Sequence, residues 1–489
     1  MSICESGRKA MDEAAELAKS LRGAMIAAAG CGKTQIIATA VSNHGGGREL
    51  VLTHTHAGVE AIRTRLVKFK VKEKACHVDT VAGWALRLAT AFPNSSRLQN
   101  AKPRNSADYS AVYSAATRLL GFRSIREILH ASYSGVYVDE YQDCTVEQHA
   151  LLVALLDTLP CRIVGDPLQG IFDFGDNKPI RWEEHVAPFY VDVPGPTTPW
   201  RWEKGNPELG MWLKDVRAKL FAGEGIDLRD APVRWLDGSD PTRKKANQVS
   251  ACFAAAKNAG ETVIAIDRWP NLCHDIASRL NGAYSCVEAI DLNDLYEFAA
   301  RIDESSGYER AIAVLEFAGG CMTKVKGELG TIRSAFAERR VPKVQKHKAE
   351  LDALLAVRDD NCLRAVQQVL KTLCQIPGAI IYRRELLREM ERAIQAVLAG
   401  ETASLTEAAW IVRNRARQRG RLLPRCAVGT TLRVKGLEFD HAILLDADDY
   451  DARNLYVALT RASRSLTVIS RSRLIQPAAD RTSPRIRRT

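Results

Sequence analysis

Short apolar runs alternate with longer stretches of helical periodicity along the first 200 residues. Four of these runs read as short buried strands, at residues 24–27, 50–52, 136–138 and 162–164. Each is followed by a polar or glycine-bearing turn. Strands that alternate with helices form a parallel sheet, and ligand groups gather at the carboxyl ends of its strands. The pattern therefore predicts an α/β domain over residues 1–200, with a short insertion near 90–130 where polar residues interrupt the rhythm.

A second α/β pattern begins near residue 261 and is interrupted by a long helical stretch. Its strand-like runs lie at residues 261–266, 427–429, 441–445 and 466–469. The intervening stretch is rich in lysine, arginine, leucine and alanine. We expect a second α/β domain formed by residues 201–289 and 411–475, with a mainly helical insertion at 290–410. The arginine-rich tail at 476–489 is expected to be disordered.

Charge and cysteine usage narrow the class of protein. The formal net charge of +11 favours a polyanionic partner without identifying one. The 12 cysteines include no CxxC pair, which argues against a zinc ribbon or an iron–sulfur cluster. No signal pattern and no apolar run of membrane-spanning length is present, so we expect a cytoplasmic protein with no membrane partner.

A loop of small residues follows the first predicted strand, with the sequence Ala-Ala-Ala-Gly-Cys-Gly-Lys-Thr at residues 27–34. Small residues let backbone N–H groups wrap a phosphate chain closely. The residues expected to do so are Ala28, Ala29, Gly30, Cys31 and Gly32. Lys33 would add a positive charge at the outer phosphates, and the Thr34 hydroxyl would bind magnesium. The loop therefore predicts a site for ATP with Mg²⁺.

Carboxylates and arginines elsewhere supply the rest of a hydrolytic site. Asp139 and Glu140 follow a buried strand, so that Asp139 can hold Mg²⁺ and Glu140 can act as general base on the attacking water. Gln169 follows the next strand and is a candidate sensor of the terminal phosphate. Arg201 and Arg461, one from each α/β region, are candidates for stabilising the transition state of hydrolysis.

Five segments, taken in order, resemble the UvrD/Rep/PcrA branch of superfamily 1 helicases. They are the loop at 28–34, DEYQD at 139–143, GDPLQGIF at 165–172, KGLEFD at 435–440 and YVALTRA at 456–462. The resemblance spans residues 27–462. It implies an α/β fold of two RecA-like parallel-sheet domains with small, mainly helical insertions. It also implies ATP-dependent translocation on single-stranded DNA, in the 3′ to 5′ direction.

The resemblance also assigns roles that the residues alone do not. Glu438 would bind the nucleotide ribose, and Gln169, Arg201 and Arg461 would contact the terminal phosphate. Residues implied to contact the nucleic acid are Thr55, His56, Trp84, Phe172 and Trp202. For Trp84 and Trp202, stacking on a base and packing in the core remain equal alternatives.

Some family features are missing, and more than one function stays open. No glutamine precedes Gln35, so the upstream glutamine that recognises adenine in this family is missing, and both insertions look short for efficient unwinding. The first reading is a translocase or helicase on single-stranded DNA or single-strand/duplex junctions. The second is an ATP-hydrolysing DNA sensor in a multi-protein antiphage complex of the Gabija type, acting with a nuclease from a partner chain. The third is an RNA-directed relative.

Overall fold

The computed structural model describes residues 3–43, 46–103, 106–172, 178–289, 292–360, 362–419 and 423–478. These residues pack into two compact units. The first unit contains residues up to 226 together with 451–460 and 477–478, and the second contains 227–450 with 461–476. Most of the tail predicted to be disordered, from residue 479 onward, lies outside the described residues.

The strands are short, and most are buried. In chain order they are β1 (Gly23–Ile26), β2 (Glu49–Thr53), β3 (Cys76–Thr80), β4 (Gly135–Val138), β5 (Cys161–Gly165), β6 (Val191–Val193), β7 (Ile226–Asp227), β8 (Arg234–Asp237), β9 (Val263–Asp267), β10 (Ser285–Cys286), β11 (Cys426–Thr430), β12 (Phe439–Leu444), β13 (Ala462–Ser470) and β14 (Leu474–Ile475). The predicted strands correspond to β1, β2, β4, β5, β9, β11, β12 and β13. β3 is absent from the predicted set because Val78 is its one aliphatic residue.

Helices connect the strands and form the whole of one long segment. In chain order they are α1 (Ile3–Lys19), α2 (Lys33–Ser42), α3 (His56–Lys68), α4 (Val81–Ala91), α5 (Pro93–Ser96), α6 (Ser106–Leu120), α7 (Arg123–Ser132), α8 (Val146–Leu155), α9 (Trp200–Glu203), α10 (Pro207–Phe221), α11 (Pro241–Ala255), α12 (Pro270–Arg279), α13 (Asn293–Glu304), α14 (Gly307–Cys321), α15 (Val325–Glu328), α16 (Gly330–Ala337), α17 (Lys348–Asp360), α18 (Leu363–Cys374), α19 (Arg384–Leu398), α20 (Leu405–Arg419), α21 (Thr431–Val434) and α22 (Ala452–Leu459). At several helix N-termini, a side-chain oxygen of the capping residue accepts a backbone N–H of the first turn. The capping residues are Thr55, Thr80, Thr145, Asn206, Asp240 and Asp451.

The first unit is built on a six-stranded parallel sheet with the order β3-β2-β4-β5-β1-β6. Successive residues of a strand point to opposite faces. Leu50 and Leu52 accordingly belong to the apolar core on one face, and Val51 belongs to the core on the other. Because helices cover both faces, the strands read as continuous apolar runs, and this is the pattern that the sequence shows.

Helices α4 to α7 occupy the region where the sequence predicts an insertion near 90–130. They pack on the first sheet and share its core, since Val112, Leu119 and Ile125 join the same apolar cluster as Leu50 and Val136. This region is therefore an elaboration of the first unit with no separate core among the described residues.

The second unit contains a six-stranded parallel sheet with the order β10-β11-β9-β12-β13-β8. Between β10 and β11 the chain forms helices α13 to α20. Their apolar faces build one core from Leu292 to Val412, with Phe317 and Phe336 among its fully buried side chains. The predicted helical insertion at 290–410 corresponds to this segment, which continues to Arg419.

The observed division between the units differs from the predicted boundary at residue 201. Helices α9 and α10 pack with the first unit, as does α22, although α22 connects two strands of the second sheet. Trp202 is the physical reason for the shift, because its ring packs against Gly30 and against Gly210 of α10. Together with α10, α22 extends the first unit beyond the sequence range that its strands occupy.

Candidate nucleotide site

Small residues from Ala27 to Gly32 form the loop that joins β1 to α2. Gly30 (φ +71°) and Gly32 (φ +88°) adopt left-handed backbone conformations, which glycine takes without a steric penalty. The Cys31 N–H donates to the Ala28 carbonyl at 3.2 Å and closes a tight turn. Among the described residues, no side chain caps α2. The helix therefore presents backbone N–H groups and the positive end of its dipole to an anion.

The first two side chains of α2 point toward the acidic end of β4. The Lys33 Nζ donates to the Ala27 carbonyl at 3.3 Å and lies 3.9 Å from the Glu140 carboxylate. The Thr34 hydroxyl donates to an Asp139 carboxylate oxygen at 2.9 Å. The structure thus brings together the lysine, the hydroxyl and both carboxylates that the sequence nominates.

Asp139 is buried at the end of β4, where its negative charge is poorly compensated. Burial raises the pKa of Asp139 to about 6, and the adjacent Glu140 carboxylate adds to the rise against opposing effects of Lys33 and Thr34. A divalent cation would relieve this repulsion, and carboxylate and hydroxyl oxygens are ligands that Mg²⁺ accepts alongside phosphate oxygens. Asp139 and Thr34 therefore fit Mg²⁺, which would neutralise charge on the phosphates.

Glu140 is held in an unusual backbone conformation beside a glutamine. Its φ of +55° lies in the left-handed region, which non-glycine residues adopt mainly where the surroundings enforce it. The Gln142 side-chain amide donates to the Glu140 carboxylate, and its carbonyl accepts the Asp166 N–H at 2.8 Å. Gln142 thus fixes the orientation of Glu140 relative to β5. It lies within the quoted DEYQD segment, but sequence reasoning gave it no role.

Asp166, at the carboxyl end of β5, organises the neighbouring side chains. Its carboxylate accepts Gln169 Nε2 at 3.0 Å and an Arg217 guanidinium N–H at 2.9 Å. Asp166 and Gln169 are both buried. The candidate sensor Gln169 is therefore held within a network of hydrogen bonds that begins at Gln142. Arg217 lies on α10, in a stretch whose sequence carries no signal of a role in the site.

Helix α22 contacts the phosphate-loop region directly. The Ala29 N–H donates to the Tyr456 hydroxyl at 3.1 Å. The Arg201 guanidinium donates to the Thr460 carbonyl at 2.6 Å, just beyond the C-terminus of the helix. Tyr456 and Thr460 belong to the YVALTRA segment, in which the sequence predicted a role for Arg461 alone. This segment therefore also fastens α22 to the loop that is expected to bind phosphate.

Trp202 and Trp84 are buried, which for both favours packing in the core over the alternative of stacking on a base. Trp202 is 1% exposed and packs on Gly30, while Trp84 is 3% exposed within the core of the first sheet. In this structure neither ring offers a free face to a base. Trp202 is buried because it packs against Gly30 and Gly210, and Trp84 is buried because it shares an apolar cluster with Val112 and Leu119 of α6.

Replacing Gly30 with alanine is expected to disrupt the loop. An alanine Cβ would lie 2.4 Å from the Trp202 ring, on a backbone whose φ is +71°. We expect the free energy of unfolding to fall by about 1–3 kcal/mol and ATP affinity to fall at least about tenfold. Thermal melting and nucleotide titration would measure both. Gly46→Ala is the control, because nothing lies within 4 Å of its added methyl group; equal effects of the two variants would contradict the packing argument.

Two protein-family models match the chain over the regions just described. The UvrD/REP helicase N-terminal domain matches residues 95–180, which include Glu140 and Gln169. The UvrD-like helicase C-terminal domain matches residues 426–469, which include Glu438 and Arg461. The chain therefore contains UvrD-like helicase domains.

Other comparisons add little to the family assignment. No curated protein matches the chain significantly. Among solved structures, an arterivirus helicase, nonstructural protein 10 in complex with DNA, matches with 10% identity and a TM-score of 0.35. The match covers 94% of this chain and 63% of that one. The chain thus spans less than two thirds of that helicase, and a likeness this low carries no argument.

The remaining residues of this UvrD-like chain that are implied to contact the nucleic acid lie near the carboxyl ends of β-strands in the first unit. Thr55 caps α3, since its hydroxyl accepts the Gly58 N–H at 3.0 Å, and the next residue, His56, is exposed. Phe172 is partly exposed in the loop after β5. His56 and Phe172 are thus accessible enough to contact a nucleic-acid strand, whereas the Thr55 hydroxyl has a structural role as a helix cap.

Glu438 and Arg461 belong to the second unit of the helicase-like chain. Glu438 is exposed in the turn before β12. Arg461 is 1% exposed, and its guanidinium donates to the Leu437 carbonyl at 3.0 Å. Arg461 directly follows Thr460, the residue whose carbonyl accepts Arg201. The two candidate arginines are therefore linked along the chain through the end of α22.

Two further observations bear on cofactors and membranes. In the described part of the chain, no group of three or more His, Cys, Asp or Glu side chains is arranged to hold a metal ion on its own. No described helix combines the length and the apolar character that a membrane crossing would need.

The Cys31 thiol lies within the phosphate loop. Burial raises the pKa of this thiol to about 11, so the side chain stays protonated at neutral pH.

Proposed function

We propose that the chain hydrolyses ATP to move along single-stranded DNA in the 3′ to 5′ direction, as a translocase or helicase. The observation that carries this proposal is the cluster of Lys33, Thr34, Asp139 and Glu140 at the ends of β1 and β4. Family membership supports DNA as the substrate. Single-stranded DNA and single-strand/duplex junctions are the expected partners.

The residues of the first unit would divide the work of hydrolysis. Lys33 and the loop before it would bind the phosphates, while Thr34 and Asp139 would hold Mg²⁺. Glu140 accepts a proton from the attacking water, and Gln142 keeps the Glu140 carboxylate oriented for that transfer. Gln169 lies in the same network and would respond to the terminal phosphate.

Coupling to movement would run through α22. Tyr456 occupies the Ala29 N–H, a donor expected to face phosphate, and Arg201 holds the Thr460 carbonyl. Nucleotide binding at Ala29 would therefore compete with the Tyr456 contact. Since Thr460 leads directly to Arg461 and the second sheet, a shift of α22 would be passed to the second unit along the chain. This supports ATP-dependent motion between two α/β units as the motor step.

The proposal is tested by the nucleic-acid dependence of ATP turnover. Purified chain is assayed with single-stranded DNA, duplex DNA and RNA, and Lys33→Ala serves as the inactive control. We expect single-stranded DNA to stimulate turnover most, and a 3′-tailed duplex to be entered from its single-stranded tail. Stimulation by RNA alone would overturn the choice of DNA. Stimulation by DNA without displacement of a bound roadblock would instead favour a DNA-sensing subunit that acts with a separate nuclease.

Phe172→Ala is expected to reduce stimulation by DNA more than basal turnover. The ring is partly exposed, and loss of one stacking step costs about 1–3 kcal/mol of DNA binding. The DNA concentration that gives half-maximal ATP turnover should rise about 5- to 150-fold, which is that energy expressed as an equilibrium ratio. Phe122→Ala, which removes another exposed ring of the first unit, is the control. Equal loss of basal and stimulated turnover would indicate a packing role for Phe172.

A further inference from the structure

Lysines occupy alternate positions from the last residue of α3 through the segment that joins α3 to β3. Lys68, Lys70, Lys72 and Lys74 are all exposed, and the intervening Phe69 and Val71 pack against the core of the first sheet. This inward packing holds the segment against the sheet while the lysines face solvent. With Arg48, which is exposed immediately before β2, these residues form a surface that we name the basic rim.

The basic rim is a concentration of charge that lacks local compensation. None of its five cations forms an ion pair with a carboxylate among the described residues, and Glu73 is the one acidic residue within residues 68–74. A lysine in the last turn of a helix is explained by the helix dipole, but that effect fades within one turn. It accounts for Lys68 and leaves Lys72 and Lys74 unexplained.

Two neighbouring side chains report the positive field at this edge. The pKa of His77 is lowered, first by burial and then by Arg87, Arg48 and Arg63. Burial raises the pKa of Cys76, against the effect of Arg48 and Arg63. Cys76 pairs in register with Glu49, so Arg48 lies beside the residue that follows Lys74. The arginine therefore extends the surface formed by the lysines.

The basic rim lies away from the candidate nucleotide site. It precedes β2 and β3, at the amino ends of the strands, whereas Thr34, Asp139 and Gln169 gather at the carboxyl ends. The candidate strand contacts His56 and Phe172 also follow strand ends. A ligand at the basic rim would consequently lie at the amino ends of the β-strands, whereas ATP is expected at their carboxyl ends. The expected path of the single strand along which the motor moves, here called the tracking path, also lies at the carboxyl ends.

We propose that the basic rim binds the phosphate backbone of nucleic acid at a second contact outside the tracking path. Lysines act as point charges that suit repeated phosphates and read no sequence. Protein–protein interfaces are depleted in lysine and have apolar centres, while Val67 is the one exposed large apolar side chain among the described residues 60–80. A membrane-binding segment would expose its aromatic residue, but Phe69 packs inward. The rim thus goes beyond the proposed motor, because it needs no ATP.

The test compares two variants of the full chain that lose the same charge. The rim variant combines Lys68→Ala, Lys70→Ala, Lys72→Ala and Lys74→Ala. The control combines Lys19→Ala, Lys219→Ala, Lys245→Ala and Lys257→Ala, which are exposed and scattered. Binding of a long 3′-tailed duplex is titrated over a range of salt concentrations. Each lost phosphate contact should reduce the slope of log affinity against log salt by about 0.9, so we expect a reduction of roughly 2–4 for the rim variant.

Two further readouts separate the outcomes. In the rim variant, basal ATP turnover and its stimulation by a short single strand of DNA should be unchanged. A short strand can occupy the tracking path without contacting the basic rim. A slope change equal to that of the control would overturn the proposal, as would loss of binding to phosphatidylserine-containing vesicles with DNA binding intact. If wild-type chain binds duplex through these lysines yet DNA never stimulates its ATP turnover, the rim stands and the proposed motor function fails.

Discussion

Glu140→Gln is expected to slow ATP turnover by about 10²- to 10⁴-fold while ATP still binds. Glutamine has nearly the same shape as glutamate but cannot accept the proton of the attacking water. The Lys33 Nζ lies 3.9 Å from the Glu140 carboxylate, so loss of that charge leaves the lysine available to phosphate. Nucleotide affinity should therefore stay equal or rise, in contrast to Lys33→Ala, which should weaken binding.

The measurement for Glu140→Gln pairs single-turnover hydrolysis with equilibrium binding of ATP. Glu127→Gln provides a matched control, because Glu127 is an exposed glutamate of the same unit that pairs only with Arg123 among the residues described here. The remaining carboxylate, Asp139, should continue to support Mg²⁺-dependent binding. Turnover within about threefold of wild type would remove Glu140 as general base and leave Asp139 to be tested in that role.

The main elements of the fold could be predicted because the central strands are buried on both faces. Leu50, Val51 and Leu52 form a run that no polar residue interrupts, and β4 is likewise buried throughout. Such runs occur where helices cover both sides of a parallel sheet. The edge strand β3 carries His77 and Asp79 and has no comparable run. Prediction succeeded where burial dictates the residue type and failed at the edges.

The candidate site divides in the same way. Lys33, Thr34, Asp139 and Glu140 could be named because strand ends and loop chemistry bring them together at one sheet edge. Gln142 and Tyr456 could not be assigned roles, since their contacts with Glu140 and Ala29 depend on side-chain packing across distant parts of the chain. Sequence position therefore predicted the chemistry but not the hydrogen bonds that orient it.

The aromatic residues show most clearly what the sequence alone could not predict. Trp84 and Trp202 follow strands of the first unit, as does Phe172, and sequence alone could not separate a ring that stacks on a base from one that fills the core. The structure buries both tryptophans and leaves Phe172 partly exposed. For Trp202 the deciding neighbour is Gly30, whose lack of a side chain admits the ring. A glycine of the phosphate loop thus has two roles, one in its backbone conformation and one in packing.

Arg461→Ala is expected to slow ATP hydrolysis by at least about 10³-fold with little change in ATP binding, which is the effect of removing an arginine that stabilises the transition state of phosphoryl transfer. Arg461 follows α22, the helix that Tyr456 ties to the phosphate loop, and the UvrD-like resemblance gives this arginine the terminal phosphate. Its guanidinium is always charged and presents several donors in a plane, so that Arg461→Lys should restore little activity.

Burial of Arg461 makes a structural role the competing explanation, and the two roles predict different combinations of measurements. Arg461 is 1% exposed and donates to the Leu437 carbonyl, so its loss also removes a contact within the second unit. A purely structural residue would lower the thermal midpoint and reduce ATP binding and turnover together. A residue that acts on the transition state would reduce single-turnover hydrolysis far more than either. Arg464→Ala is the matched control, because Arg464 is 53% exposed and forms surface ion pairs with Glu261 and Asp440, which contribute about 0–1 kcal/mol each. Hydrolysis by Arg461→Ala within about threefold of the Arg464→Ala rate would place Arg461 outside the catalytic cycle.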